Sequence, residues 1–235
     1  MIQLIQFKPA FGLPNASPFC MKLETYLRMA GLPYEKPPFK LQDLQGAPKG
    51  KLPYIVDGDQ RIADSSLIID YLKTKYGDPV DGWMSETERA IALAWQRLLE
   101  DHLYWAAIYT RWIEPEGWAL TRRVFFAGMS APLSWVVPPM ARRNMAKELH
   151  GHGLGRHSRE DIHTLGCNDI TALAGYLADK SFFMGEKPCS LDAVAYGFLA
   201  NLLWVPLDSA LKLQAQKHPQ LARFCERMRD RYYAS

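Results

Sequence analysis

The stretch Lys51-Leu52-Pro53-Tyr54-Ile55-Val56, followed by Asp57-Gly58-Asp59 and then Asp64-Ser65-Ser66-Leu67-Ile68, decides how the first third of this chain folds. Asp57-Gly58-Asp59 is a hairpin signal, because glycine accepts the positive φ of a tight turn, and Gln60-Arg61-Ile62-Ala63 is placed to pair back across it. Asp64 or Ser65 caps a helix whose apolar residues Leu67, Ile68, Tyr71 and Leu72 recur at helical spacing and which stops before Gly77 and Pro79. Working upstream, residues 2–7 alternate as a short strand, and Gly12, Pro14 and Asn15 make a loop. Ser17 precedes Pro18, a cap followed by proline at the first helical position. Phe19, Leu23, Tyr26, Leu27 and Ala30 then form an apolar stripe that Gly31 and Pro33 end. A second extended segment is expected over 34–40. The order is strand, helix, strand, helix or loop, hairpin, helix.

That order resembles the thioredoxin-like domain that opens glutathione transferases. The resemblance rests on Ser17, Leu52-Pro53 and the run Asp64, Ser65, Ile68, Ile69, Tyr71, Leu72. It implies that Leu52-Pro53 is cis and that the Leu52 backbone pairs with the cysteinyl part of glutathione. It further implies that Ser65 receives the γ-glutamyl carboxylate at a helix N-terminus, while Asp64 answers the ammonium. On the residues alone, Pro53 also reads as an edge-strand proline, and Asp64 and Ser65 as caps of their own helix.

Ser17 stands where the family places its activating residue. A hydroxyl there donates to a bound thiolate, and the helix N-terminus adds positive potential, so Ser17 is the candidate catalytic residue. Ser17-Pro18-Phe19-Cys20 also resembles the Cys-Pro-Phe-Cys of glutaredoxins with the attacking cysteine replaced by serine. Cys20 is therefore a second candidate thiol, with a packed helix cysteine as the alternative. Lys22 reads either as a source of positive charge or as a solvated side chain.

Residues 79–84 read as a linker between a domain at 1–78 and an all-helical domain at 85–235. Ser85 and Glu88 make a capping box for a long helix over 86–109, with Leu93, Gln96, Arg97, Glu100, Tyr104 and Ile108 at helical intervals. The resemblance makes Tyr104, Tyr109, Arg111 and Trp112 candidates for a pocket that takes a second, apolar substrate. Residues 124–140 are apolar but too short and too proline-broken to span a bilayer, and they read as helix–loop–helix. Arg122, Arg123, Arg142 and Arg143 flank them, which leaves weak contact with a membrane surface open. His150, His152 and His157 lie in a glycine-rich run without partner carboxylates or cysteines, a poor metal site. No metal is expected. Ser158 is expected to cap a helix with Asp161 as its third residue, and 169–180 and 219–233 read as helices. The Gly153–Ser158 segment narrows the resemblance to the metaxin-related and failed-axon-connections-like branch, including its bacterial members. Cys189 stands where a capping Ser or Thr is usual before Asp192, which is assigned to folding. Either Ser190 or the Cys189 backbone N–H takes over the cap.

Composition sets bounds. The 235 residues suit two domains, and 48% hydrophobic with 23% charged content is ordinary for a soluble protein with a core. A net charge of +3 names no partner, and no recognition signature for nucleic acid accompanies the basic stretch. Cysteines at 20, 167, 189 and 225 show no metal or disulfide spacing, which suits a reducing compartment. The N-terminus reads as a strand rather than a signal. The expectation is a cytoplasmic, homodimeric glutathione transferase acting on a small electrophile with glutathione as co-substrate. A metaxin-like adaptor, and a glutathione-dependent reductase or lyase using Cys20, are the alternatives.

Overall fold

The computed structural model describes residues 1–234, with the side chain of Leu41 outside the description. Strand β1 (Ile2–Ile5) is central in a four-stranded sheet of order β2-β1-β3-β4. It pairs in parallel with β2 (Tyr34–Glu35) and antiparallel with β3 (Tyr54–Asp57), setting Ile5 opposite Tyr54. β4 (Gln60–Ala63) returns from β3 across Gly58 with Asp57 opposite Gln60, the hairpin expected from the turn residues. Helices α1 (Pro18–Met29) and α3 (Ser65–Tyr76) pack their apolar stripes against this sheet, burying Leu23, Leu27, Ile68 and Leu72 with Leu4 and Ile55. A short α2 (Leu41–Gln45) precedes β3. The segment expected to be extended over 34–40 contributes only two residues to the sheet, because Pro37 and Pro38 bring no N–H donors to a ladder.

The rest of the chain is helical. From α4 (Glu86–Arg97) the helix runs on to Ile113, further than expected. It passes through a wide π-turn at Leu98–Leu103, the short α5 (Tyr104–Ile108) and a second π-turn at Tyr109–Ile113. Each π-turn inserts a residue and re-aims the side chains after it. The helices α6 (Pro115–Phe125), α7 (Leu133–His152), α8 (Arg159–Leu177), α9 (Ser190–Leu203), α10 (Ala210–Gln216) and α11 (Pro219–Tyr232) complete the chain. The Ser158 cap, which accepts from Asp161 N at 3.1 Å, starts one continuous helix where 169–180 had read as a separate one.

α9 is buried along almost its whole length, and α1 lies against it. Gly197 makes the contact close, since a Cβ there would stand 2.6 Å from Pro18 O at the start of α1. The segment at 79–84 is pinned as well: Asp81 accepts from Ser190 N at 2.7 Å and from Ser190 Oγ at 2.6 Å, and pairs with Lys73. The start of α1 is thereby held against the helical part. Among the described residues, no helix is long and apolar enough to cross a membrane.

Candidate functional site

The approach to α1 is fixed by side chains that hold its backbone. Asn15, fully buried, donates to Phe7 O at 2.6 Å and accepts from Ser17 N at 3.0 Å. Arg111 donates to Ala16 O at 2.8 Å and Asn201 to Asn15 O at 3.3 Å, both reaching over from the helical part. Ser17 then caps α1 with extended backbone, its Oγ accepting from Cys20 N at 3.4 Å. An oxygen used this way still has its O–H to donate. Cys20 is fully buried, and desolvation pushes its thiol up to about 12 despite the Ser17 hydrogen bond, so almost none is thiolate at neutral pH.

Leu52 and Pro53 are buried at the entry to β3, and their peptide bond is cis. At the far end of the hairpin, Asp64 caps α3, accepting from Ser66 N at 3.0 Å and Leu67 N at 3.4 Å through Oδ1. Its Oδ2 faces Lys49 at 3.9 Å, and the side chain is about half exposed. Asp64 has φ 77° and ψ 117°, a conformation that L-residues rarely adopt, that costs about 1–3 kcal/mol and that persists only where the surroundings enforce it. Ser65 beside it is buried.

Behind these residues lies a polar cluster that pattern reading missed. Lys22 of α1, almost completely buried, pairs with Glu100 of the first π-turn at 2.6 Å and donates to Ser66 Oγ at 2.7 Å. Gln96 donates to the same Ser66 oxygen at 2.9 Å and to Glu100 at 3.0 Å. Burial lowers the Lys22 pKa, and Glu100 opposes that shift. The cluster joins α1, the start of α3 and α4. Its only sequence trace was Gln96 and Glu100 one helical turn apart; Lys22 is 78 residues from its partner.

Of the four pocket candidates, Tyr104 meets the Ser17-Pro18-Phe19 turn, its ring edge-on to Phe19 at 5.0 Å, with burial raising its phenol to about 12. Trp112 packs near Phe125 at 6.4 Å, and Phe125 in turn meets Phe7 at 6.0 Å, so an aromatic wall runs from the end of β1 into the helical part. Arg111 is committed to the backbone before Ser17, and burial lowers its pKa to about 10. Tyr109 turns away, packing edge-on to His163 of α8 at 6.3 Å. A cavity of about 740 Å³ lies on another face, between the loop at Pro9–Pro14 and Tyr196, Trp204 and Arg229, and Ser17, Leu52, Asp64 and Ser65 do not line it. His152 stacks on Trp105 at 4.7 Å, and among the described residues no group of three His, Cys, Asp or Glu is arranged to hold a metal ion.

The first part of the chain is thus a thioredoxin-like sheet with its flanking helices, and the second part is all-helical, the architecture of the glutathione-transferase fold. Residues 18–117 match the glutathione S-transferase N-terminal domain family and residues 166–228 the glutathione S-transferase C-terminal domain family. The chain is 37% identical to an isoprene-epoxide–glutathione S-transferase of a Rhodococcus species, across 99% of both chains. It belongs to the glutathione S-transferase family. It is also 32% identical to failed axon connections of Drosophila melanogaster, over 99% of this chain but only 58% of that one. With metaxin-3 of Xenopus laevis it shares 27% over 100% and 78%. The branch expected from Gly153–Ser158 is thus the one its relatives occupy. Among solved structures, a Methylobacterium radiotolerans glutathione S-transferase in complex with glutathione sulfonate shares the fold, with TM-score 0.61 and 20% identity over 98% of this chain and 91% of that one.

Proposed function

We propose that this protein conjugates reduced glutathione to a small electrophile, an epoxide being the class suggested by the name of the Rhodococcus relative. In this reading residues 1–78 form the glutathione-binding domain, 79–84 the linker and 85–235 the domain that supplies the second-substrate pocket. Ser65 receives the γ-glutamyl carboxylate at the start of α3, where backbone N–H groups and the helix dipole favour an anion. The half-exposed Asp64 answers the ammonium, and the Leu52 backbone aligns the cysteinyl unit. Ser17 donates its hydroxyl to the sulfur and holds it as thiolate for attack on the electrophile, while Tyr104 and Trp112 line the apolar side. The observation that carries this is the Ser17 cap: its oxygen accepts from Cys20 N, which aims the group at the helix mouth and leaves its proton for the ligand. A reductase using Cys20 is disfavoured by the burial that keeps that thiol protonated.

Leu67 of α3 and Ile91 and Leu93 of α4 are exposed, and we expect two copies to meet through these helices as a homodimer, in the cytoplasm. The test is turnover of glutathione with an epoxide by wild type and Ser17→Ala. Loss of roughly a hundredfold in kcat with glutathione affinity retained supports the transferase. A wild type that binds glutathione but turns over no epoxide points to the metaxin-like adaptor reading instead.

A further inference from the structure

From Gly117 to Lys147 the chain carries Arg122, Arg123, Arg142, Arg143 and Lys147 and no acidic residue at all. This segment comprises most of α6, the loop after it and most of α7. It exposes Leu133 at 57%, Trp135 at 71%, Val136 at 58% and Met140 at 55%, large apolar side chains clustered within eight residues of one helix. Leu133, Val136 and Met140 recur at i, i+3 and i+7, so they share one face of α7, and exposed Arg143 follows Val136 and Met140 on the same side. Arg122, Arg142 and Arg143 surround a shallow cavity of about 420 Å³ floored by Ile113 and Trp118. Arg142 is held there by its bonds to Trp112 O at 2.9 Å and Ile113 O at 2.7 Å, with its guanidinium over the Trp118 ring.

We propose that this α6–α7 face docks on an anionic phospholipid membrane. Leu133, Val136 and Met140 enter the boundary between headgroups and acyl chains, Trp135 sits at the margin of that contact next to Val136, and Arg122 and Arg143 receive headgroup phosphates at the cavity. A run of exposed apolar side chains that includes a tryptophan and is flanked by arginines suits that plane, and each basic residue near an anionic surface adds attraction. A second copy of this chain is the poorer occupant: a two-fold contact through a segment whose charged residues from 117 to 147 are all basic sets arginines against arginines. The docked face is also continuous with the candidate site, because Trp118, Phe126, Trp112, Phe125 and Phe7 form an unbroken chain of aromatic contacts toward the turn before Ser17. Apolar electrophiles dissolved in the bilayer then have a short route to that site.

Flotation of the purified protein with phosphatidylcholine vesicles, with and without phosphatidylglycerol, tests this without any turnover assay. Roughly tenfold or stronger partitioning onto the anionic vesicles is expected, weakened by salt. Trp135→Ser/Val136→Ser should abolish it, and Arg122→Glu/Arg143→Glu should abolish its preference for phosphatidylglycerol; these exposed positions leave the melting temperature near that of wild type. Absence of vesicle binding, equal binding to both vesicle types, or binding indifferent to both double variants overturns the proposal. So does lipid-free self-association that Trp135→Ser/Val136→Ser abolishes, which would assign the face to a second copy.

Discussion

The starts of α3 and α9 use the same device, an aspartate among the first N–H groups of a helix, to opposite ends. At α9, Asp192 is fully buried and both its oxygens are spent, one on Phe183 N and one on Cys189 N, each at 2.8 Å, while Ser190 is taken by Asp81. At α3, Asp64 commits Oδ1 to Ser66 N and Leu67 N, turns Oδ2 toward Lys49 at 3.9 Å, beyond hydrogen-bond distance, and sits at φ 77° in half exposure. A helix N-terminus closed on every side builds the fold. One held open by a strained residue can take a ligand. The contrast also orders the expected effects of substitution.

The largest effect belongs to the closed end. Asp192→Ala leaves two buried N–H groups without acceptors, at about 1–3 kcal/mol each, so chemical denaturation should show about 4 kcal/mol lost. A loss under about 1 kcal/mol would show that the α9 cap is as dispensable as an exposed one. Burial also raises the Asp192 carboxyl to about 6, from an ordinary 3.8. The native state therefore binds this proton more tightly than the unfolded chain. The associated stability is fully present below pH 3.8 and is lost as pH rises through about 6, amounting to about 3 kcal/mol at most. Asp192→Asn should flatten the stability profile across that window; an unchanged profile would refute the assignment.

Next comes the cluster between the two ends. Lys22→Met takes the buried cation from the Glu100 carboxylate, which keeps Gln96 as a donor and Arg97 at 3.8 Å, so a loss of about 3 kcal/mol is expected. Lys22→Met/Glu100→Leu should recover most of it, and additive losses would show that the two do not act as a pair. The smallest stability effect belongs to the open end. Asp64→Gly relieves the positive φ and removes a cap that glycine replaces at a cost of only a few tenths of a kcal/mol, so stability should hold or rise by about 1 kcal/mol. Glutathione affinity should nevertheless fall. A variant that loses more than about 1 kcal/mol would mean that Asp64 is there to fold the helix, like Asp192.

These two ends differ in how much of them the sequence discloses. The hairpin at Asp57-Gly58-Asp59, the Ser17-Pro18 start of α1 and the Ser158 cap are legible because each depends on neighbours within three residues. The Cys189 N–H bond to Asp192 was one of two alternatives left open, and the choice depended on Asp81, over a hundred residues away, claiming Ser190. Lys22 and Glu100 each look like a solvated position on an amphipathic helix, and only tertiary packing brings them together. The π-turns at Leu98–Leu103 and Tyr109–Ile113 have no residue signature, so the spacing that grouped Tyr104 with Tyr109 could not reveal that one faces Phe19 and the other His163.

Calorimetric titration of reduced glutathione into wild type and Asp64→Ala/Ser65→Ala tests the open end most directly. The account predicts micromolar-to-millimolar binding by the wild type, lost in a variant that still melts cooperatively. A folded wild type that binds nothing, or a variant that binds equally well, would contradict it and leave the start of α3 as architecture alone.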